Sequence, residues 1–393
     1  MTKLTRNIVL GTHHPRDMRL VTLDAMASFG RAERLDAVRA FGRDRIGAWL
    51  RFAEDNRVGP IVAHTLLEAF GDDFAQADEA RAIYARSERR MAVLMDELDA
   101  VASRLATEGI ALVALKNAGI ARGIFPHVGC CPMGDLDVLI DRARFREAHQ
   151  LIEETGFVLA TRGTVEAADL EEGLAHGGTE YRREVGGEEV WFELQWRPVA
   201  GRWIREDQEP KAAELIGRSV PIEGTDVRLL SPVDNMIQVS LHTAKHSYVR
   251  APGLRLHTDV DRLAIYQTPD WSAVVKQAKK LEITTAVFFS LALAQTLLST
   301  PIPNHVLQAL TPNSFKREAV TALLAKADVF EPNQAKFSRP EMIALHAFLY
   351  DDLQGLLASA MDTSKADLSV RNLPQGLWRG FNRVKDILTR YQA

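Results

Sequence analysis

The 393-residue chain lacks the residues that usually hold secreted domains or structural zinc sites together. Its only cysteines, Cys130 and Cys131, are adjacent, which excludes a disulfide framework and a quartet of cysteine ligands. The N-terminal residues also lack a signal-peptide core, because basic side chains such as Lys3 and Arg6 interrupt the apolar ones. These absences predict a cytoplasmic protein.

Long apolar runs and a strong charge imbalance are missing as well. The most apolar stretch, residues 283–298, contains hydroxyl and amide side chains and is too short to cross a bilayer, so we expect a buried helix and no membrane contact. The net charge of −4 and the lack of a basic stripe with interleaved aromatic residues make nucleic acid a less favoured partner. The hydrophobic share of 46% is typical of a soluble globular protein.

The chain divides by pattern into three parts. Apolar spacing of three and four predicts a helical N-terminal subdomain over residues 1–95, although residues 1–30 carry weak signals. An α/β core follows over 96–230, and a helical C-terminal domain over 231–393. The predicted helices outside the core cover residues 43–55, 58–70, 77–108, 232–247, 253–266, 270–299 with a break near Glu282, 313–326, 340–361 and 375–391.

The core pattern, with short strands between helices, predicts an α+β fold. Its elements in chain order are predicted as a buried strand at 110–115, a helix opening at 120–124, a strand at 134–140, a helix over 142–155, a strand at 157–160, a loop over 161–178 and a hairpin over 179–198 that turns at Gly186-Gly187.

Residues 134–140, Gly-Asp-Leu-Asp-Val-Leu-Ile, contain the strongest chemical signal. Side chains alternate along a strand, so Asp135 and Asp137 share one face, whereas Leu136, Val138 and Ile140 share the other. Two carboxylates ~4 Å apart repel by roughly 4 kcal/mol at an effective dielectric near 20, which raises the pKa of one of them unless a cation lies between. Mg²⁺ prefers such oxygen ligands together with substrate phosphates. The alternative is a strand end with two solvated aspartates.

A third acid follows on the second arm of the predicted hairpin. Glu193 lies on the polar face of a strand whose other face holds Phe192 and Leu194. A third carboxylate on a neighbouring strand would complete a site for two metal ions. The alternative is a solvated carboxylate on an outer strand.

These motifs resemble the core of a bacterial nucleotidyltransferase family within the DNA polymerase β-like superfamily. The resemblance runs through residues 115–121, 125–126, 132–140, 192–196, 241–246 and 255–259. It implies a small mixed sheet that carries the acids on its open edge, flanked by helices. It also implies the transfer of a nucleoside monophosphate from an NTP, such as ATP, to an acceptor hydroxyl, with pyrophosphate as the leaving group.

The resemblance also assigns roles to residues. It makes Asp135, Asp137 and Glu193 the ligands of Mg²⁺, with two ions expected, and lets Glu193 help to activate the acceptor. Lys116 would begin the segment that holds the nucleotide phosphates, together with Asn117 and, ahead of the first acid, Gly134. A lysine at a strand-to-helix turn suits this role because backbone N–H groups there face an anion. The alternative for Lys116 is a surface lysine.

A second basic cluster lies in the predicted helix at 232–247. His242, Lys245 and His246 are three and four residues apart and therefore share one helix face. His242 and Lys245 are accordingly predicted to contact the nucleotide, and the alternative is core histidines beside a solvated lysine. The spacing of the histidines also occurs in zinc proteases, but these need Glu where the chain has Thr243.

Three positions depart from the family pattern. Asn117 stands where glycine is usual, Cys131 where arginine is common and Gln195 where histidine is frequent. They leave open a degenerate module that binds nucleotide without catalysis, and a toxin–antitoxin type enzyme that modifies a protein or tRNA. With the acids intact, we expect an active enzyme that acts on a small molecule or a peptide.

Overall fold

A computed structural model describes residues 16–162, 169–199 and 204–352 of the chain. The predicted last helix over 375–391 lies outside these ranges, as do residues 1–15.

The N-terminal part is helical, as predicted. Its helices are α1 (Arg16–Met26), α2 (Arg31–Ala40), α3 (Ile46–Asp55), α4 (Gly59–Phe70) and α5 (Ala77–Ala106). The first of them lies in the stretch with weak sequence signals, because its buried face includes Arg19 and Thr22 among the apolar residues. The Thr22 hydroxyl accepts a hydrogen bond from Trp49 Nε1 at 2.9 Å, which links α1 to α3.

One mixed sheet forms the centre of the described chain. Its strands are β1 (Leu112–Ala114), β2 (Asp135–Leu139), β3 (Val158–Ala160), β4 (Gly178–Val185), β5 (Glu188–Gln195), β6 (Val220–Pro221) and β7 (Val227–Leu229). The order across the sheet is β3-β4-β5-β2-β1-β7-β6. Strand β2 runs parallel to β5 and antiparallel to β1, so the expected α+β core with a mixed sheet is confirmed.

The position of the acids within the sheet differs from the expectation. They lie on β2 and β5, the middle strands, and not at an open edge. The reason is that β1 and the short strands β6 and β7 continue the sheet beyond β2. Strand β7 has only three residues, too few for an alternating pattern to show in the sequence.

One face of the central strands is apolar and buried, and the other is polar. On one face Leu136, Val138, Phe192 and Leu194 are 0% exposed and belong to the same hydrophobic cluster as residues of α5 and of α7 (Phe145–Glu154). Burial of this face holds β2 and β5 in place. The opposite face carries the acids.

Two further core elements depart from the sequence prediction. Helix α6 spans Lys116–Gly123 and begins four residues earlier than the predicted opening at 120. Its Gly119 permits a close approach, since a Cβ there would lie 2.9 Å from the Ala114 carbonyl oxygen. Helix α8 (Leu170–His176) lies in the expected loop, and the Asp169 side chain caps it by accepting the Glu171 N–H.

The helices after the fifth strand match most predictions. They are α9 (Ala212–Arg218), α10 (Pro232–Lys245), α11 (Arg255–Arg262) with a π-turn (Leu263–Gln267), α12 (Trp271–Lys280), α13 (Thr284–Leu298), α14 (Asn304–Leu310), α15 (Ser314–Ala325) and α16 (Arg339–Leu349). The predicted break near Glu282 separates α12 from α13, where Glu282 has a φ of 55°. No described helix is both long and apolar enough to cross a membrane.

The last described helix is shorter than predicted. Helix α16 ends at Leu349, whereas the predicted helix continued to 361, of which residues 353–361 lie outside the described ranges. The chain turns away there because Asp351 accepts the backbone N–H groups of Thr284 and Thr285, at 2.6 and 2.9 Å, at the beginning of α13. A tertiary contact therefore ends a helix that its own sequence would extend.

We expect Phe192→Ala to lower the free energy of unfolding by roughly 3–5 kcal/mol, because the change opens a cavity behind the strand that carries Glu193. Val158→Thr is the control, since Val158 is 53% exposed on an outer strand of the same sheet and should change stability by less than about 0.5 kcal/mol. Denaturant unfolding measures both. Equal losses in the two variants would contradict the assignment of this face to the core.

Candidate active site

The three predicted acids meet on one face of the central strands. Asp137 pairs directly with Glu193 in the parallel register of β2 and β5, and Asp135 pairs with Trp191. One carboxylate oxygen of each of the three acids lies within 4.8 Å of those of the other two. The structure therefore brings together the acids that the sequence placed 56 residues apart (193 − 137).

Lys116 lies among these acids. It is the first residue of α6, has a φ of 50° and is 9% exposed. Its Nζ donates a hydrogen bond to Asp137 Oδ1 at 2.5 Å. The alternative of a surface lysine is therefore wrong, while the phosphate contact stays a prediction. The left-handed backbone lies at Lys116 and not at Asn117, although a side chain at positive φ is strained.

The charge on Lys116 is stabilised by the acids. Burial alone would lower the pKa of Lys116, but the carboxylates of Asp137 and Glu193 outweigh burial and raise it. Burial raises the pKa of Asp137 to about 6, with Lys116 lowering it and the Glu193 carboxylate raising it further. At neutral pH this chemistry gives a buried ion pair between lysine and aspartate.

Gln195 completes the surroundings of Asp137. Its Nε2 donates to the same oxygen, Asp137 Oδ1, at 2.8 Å, and the residue is 3% exposed. The departure from histidine at this position thus supplies a neutral donor that fixes the orientation of an acid. Sequence reasoning identified the residue but not its partner.

Asp135 has a basic partner that the sequence did not reveal. Arg162 Nη2 donates to Asp135 Oδ2 at 2.6 Å, while its Nε and backbone N–H donate to Glu180 on β4 at 2.8 and 2.9 Å. The guanidinium carbon of Arg162 also lies 5.2 Å from the ring centroid of Trp191. No motif marks this arginine, which stands in the segment expected to be a loop.

The predicted basic cluster of α10 lies beside the acids. Burial and the charge of Lys116 lower the pKa of His242 far below its ordinary value, so its imidazole is neutral. Its ring centroid lies 4.7 Å from that of His246, and its Nδ1 has no hydrogen-bond partner among the described residues. Lys245 is not solvated, because its Nζ donates to the Val199 carbonyl oxygen at 2.9 Å.

Two of the predicted nucleotide contacts, Asn117 and Gly134, precede the acids in the chain and form no side-chain hydrogen bond with them within the described residues. The Asn117 Oδ1 is buried and has no hydrogen-bond partner among the described residues. Gly134 precedes Asp135, and a Cβ added there would meet nothing within 4 Å. Gly134 is therefore exposed, with open space where a side chain would stand.

The loop before β2 is held by arginines of α11. Arg262 Nη1 donates to Cys131 Sγ at 3.3 Å, and its Nη2 donates to the Cys130 carbonyl oxygen at 2.9 Å. Arg255 donates to the Pro132 carbonyl oxygen. Cys131 stands where the family commonly has arginine, and the guanidinium of Arg262 from α11 contacts this position instead. The sequence signalled Arg255 but not Arg262.

Asp259 lies between these two arginines and does not join the acid cluster. It is 2% exposed, and its Oδ1 has no hydrogen-bond partner within the described ranges. Burial raises the pKa of Asp259 to about 7, against the opposing charges of Arg262 and Arg255.

The donor set at the strands suits a hard divalent cation. Three carboxylates offer only oxygen ligands, which Mg²⁺ prefers, and the neighbouring cations suit the phosphates that share such an ion. Soft metals would require thiolates, and both cysteines lie in the loop held by α11. The arrangement can therefore hold a metal–phosphate complex.

Comparison with known protein families finds a match over much of the chain. A family model described as an uncharacterised nucleotidyltransferase matches residues 44–299, more than half of the chain. No curated protein and no solved structure matches the chain at a significant level.

We expect Asp259→Asn to be more stabilising at pH 7.5 than at pH 5. The pKa of Asp259 in the folded protein, about 7, exceeds the ordinary aspartate value of 3.8, so the folded state holds the extra proton and wild-type stability falls as pH rises between these values. Over that window the stability difference should change by roughly 2–4 kcal/mol in favour of the variant.

Denaturant unfolding at the two pH values measures this change. Asp55→Asn at an exposed aspartate is the control and should show no such trend. A difference that is independent of pH would contradict the burial argument for Asp259.

Proposed function

The chain belongs to the uncharacterised nucleotidyltransferase family, and on this premise we propose that it transfers a nucleoside monophosphate from an NTP to an acceptor hydroxyl. ATP is the proposed donor, Mg²⁺ the proposed metal and pyrophosphate the leaving group. The observation that carries the proposal is the convergence of three carboxylates within 4.8 Å on adjacent parallel strands.

Asp135, Asp137 and Glu193 are the proposed metal ligands. Two bound Mg²⁺ ions would neutralise the phosphate oxygens and align the attacking and leaving oxygens for in-line displacement. Glu193 lies beside Asp137 in the sheet, and we assign it the further role of accepting the proton of the attacking hydroxyl.

The cations around the acids support a phosphate site. Lys116 and Lys245 lie close enough for the charge of one to act on the other, and both charges act on His242. Neutral His242 has a ring nitrogen, Nδ1, without a partner among the described residues, which is suited to a phosphate or nucleotide oxygen. We assign the nucleotide to this side, with Asn117 and Gly134 at its entrance.

The acceptor is proposed as a small molecule or a peptide. The net charge of −4 supplies no general attraction for nucleic acid. A cytoplasmic location and the division at residues 95 and 230 belong to the same proposal. The helical part after 230 would form the acceptor wall, since α10 contacts α6 beside the acids.

A binding-only module is the second candidate. It is favoured by Lys116, which pairs with a proposed metal ligand, and by the Asn117 side chain beside it. Calorimetric titration of ATP with and without Mg²⁺ separates the candidates when it is combined with an assay of transfer. Metal-dependent binding with no transfer to any acceptor would favour the module.

We expect Asp137→Asn to lower transfer of label from α-labelled ATP by at least about 100-fold, because the variant removes a charged metal ligand. The assay uses a panel of small-molecule, peptide, protein and RNA acceptors. Glu189→Gln is the matched control, an exposed acid on the same strand and face as Glu193. It should retain activity within about twofold.

The acid change also leaves Lys116 without its carboxylate. A melting curve therefore accompanies the assay, and Glu193→Gln repeats the test at a less buried acid. Undiminished transfer in folded Asp137→Asn would rule out the mechanism.

A further inference from the structure

The two aspartates proposed to bind metal each carry a basic side chain of the protein itself. Lys116 donates to Asp137 and Arg162 donates to Asp135. We infer that Lys116 and Arg162 are resident counter-ions of the acid cluster and that a divalent metal binds by exchange with them. The inference rests on the proposed function, because it assigns the metal to these acids.

Hydrogen bonding at Asp137 supports exchange. Oδ1 accepts from Lys116 Nζ at 2.5 Å and from Gln195 Nε2 at 2.8 Å. A carboxylate oxygen accepts about two hydrogen bonds, so this oxygen has no further lone pair for a ligand bond. A Mg²⁺ ion needs a carboxylate oxygen at about 2.0–2.1 Å. Use of Oδ1 by metal therefore requires Lys116 or Gln195 to leave, and the positive charge of the ion repels Lys116 rather than the neutral amide.

Arg162 can release Asp135 and still be held by its hydrogen bonds to Glu180. Only Nη2 of its guanidinium contacts both Asp135 and Glu180, whereas Nε and the backbone N–H donate to Glu180 alone. The Arg162 side chain is 37% exposed and that of Asp135 27%, so solvent and ions reach this pair. Glu180 can hold the arginine after the metal has taken its place on Asp135.

Charge balance points the same way. The cluster and its border contain four acids, Asp135, Asp137, Glu193 and Glu180, and the three nearby bases, Lys116, Arg162 and Lys245, offset only part of their negative charge. A divalent ion placed among these acids would repel Lys116 and Arg162 at short range. Displaced from Asp137, the Lys116 ammonium would remain beside α10, on the side assigned to the phosphates.

The decisive experiment titrates the full chain with Mn²⁺ alone, without nucleotide, and follows free Mn²⁺ by electron paramagnetic resonance. We expect Arg162→Gln to bind Mn²⁺ about three- to tenfold more tightly than wild type, because the competing cation is gone. Arg182→Gln is the matched control. Arg182 lies on β4 and pairs with Glu189 at 3.8 Å, outside the acid cluster, so its change should leave the affinity unaltered.

Lys116 is tested through stability. Lys116→Met leaves close carboxylates without their buried cation, so we expect a lower melting temperature in chelator than for wild type. Mn²⁺ should then raise the melting temperature of this variant by at least about 3 °C more than that of wild type. Because a buried substitution can prevent folding, the Arg162 titration decides the inference.

The outcomes separate the inference from the function it rests on. If Arg162→Gln binds Mn²⁺ no more tightly than wild type while Asp135→Asn loses binding, exchange is wrong and the proposed metal site stands. If wild type and Asp135→Asn bind Mn²⁺ equally, the proposed metal site is wrong, and exchange is wrong with it.

Discussion

Repulsion among carboxylates is the constraint around which the centre of this protein is arranged. Three acids have oxygens within 4.8 Å of one another on the face of two parallel strands. Such a cluster is unfavourable unless cations or hydrogen-bond donors surround it. Lys116, Gln195 and Arg162 provide these partners from three different parts of the chain. The same repulsion that would destabilise an empty cluster would favour a divalent ion at the site proposed here.

Packing of the apolar face of the strands stabilises this arrangement of acids. Phe192 and Leu194 alternate with Glu193, and their burial against α5 and α7 fixes the register that places Glu193 beside Asp137. A slip of one residue would exchange the two faces, so packing on one side determines chemistry on the other. On the polar side, helix α10 contacts α6 and brings His242 and Lys245 near Lys116.

The three residues that depart from the family pattern have different surroundings in the structure. Gln195 replaces a titratable residue by a neutral donor to Asp137. Cys131 accepts from Arg262, so an arginine still reaches this loop from α11. Asn117 has a buried oxygen without a partner in the described part of the chain, and the left-handed backbone belongs to Lys116 instead. None of these changes replaces one of the three acids.

The sequence by itself determined the alternation at 134–140 and 188–195, most helices and the three acids, because these depend on local periodicity and residue type. Only the tertiary structure decided that β7 extends the sheet, that α16 ends at Leu349, and that Arg162 and Lys116 pair with the acids. These features depend on contacts between residues distant in the chain. Such partners cannot be read from the spacing of residues along the sequence. Burial and charge bring them together when the chain folds.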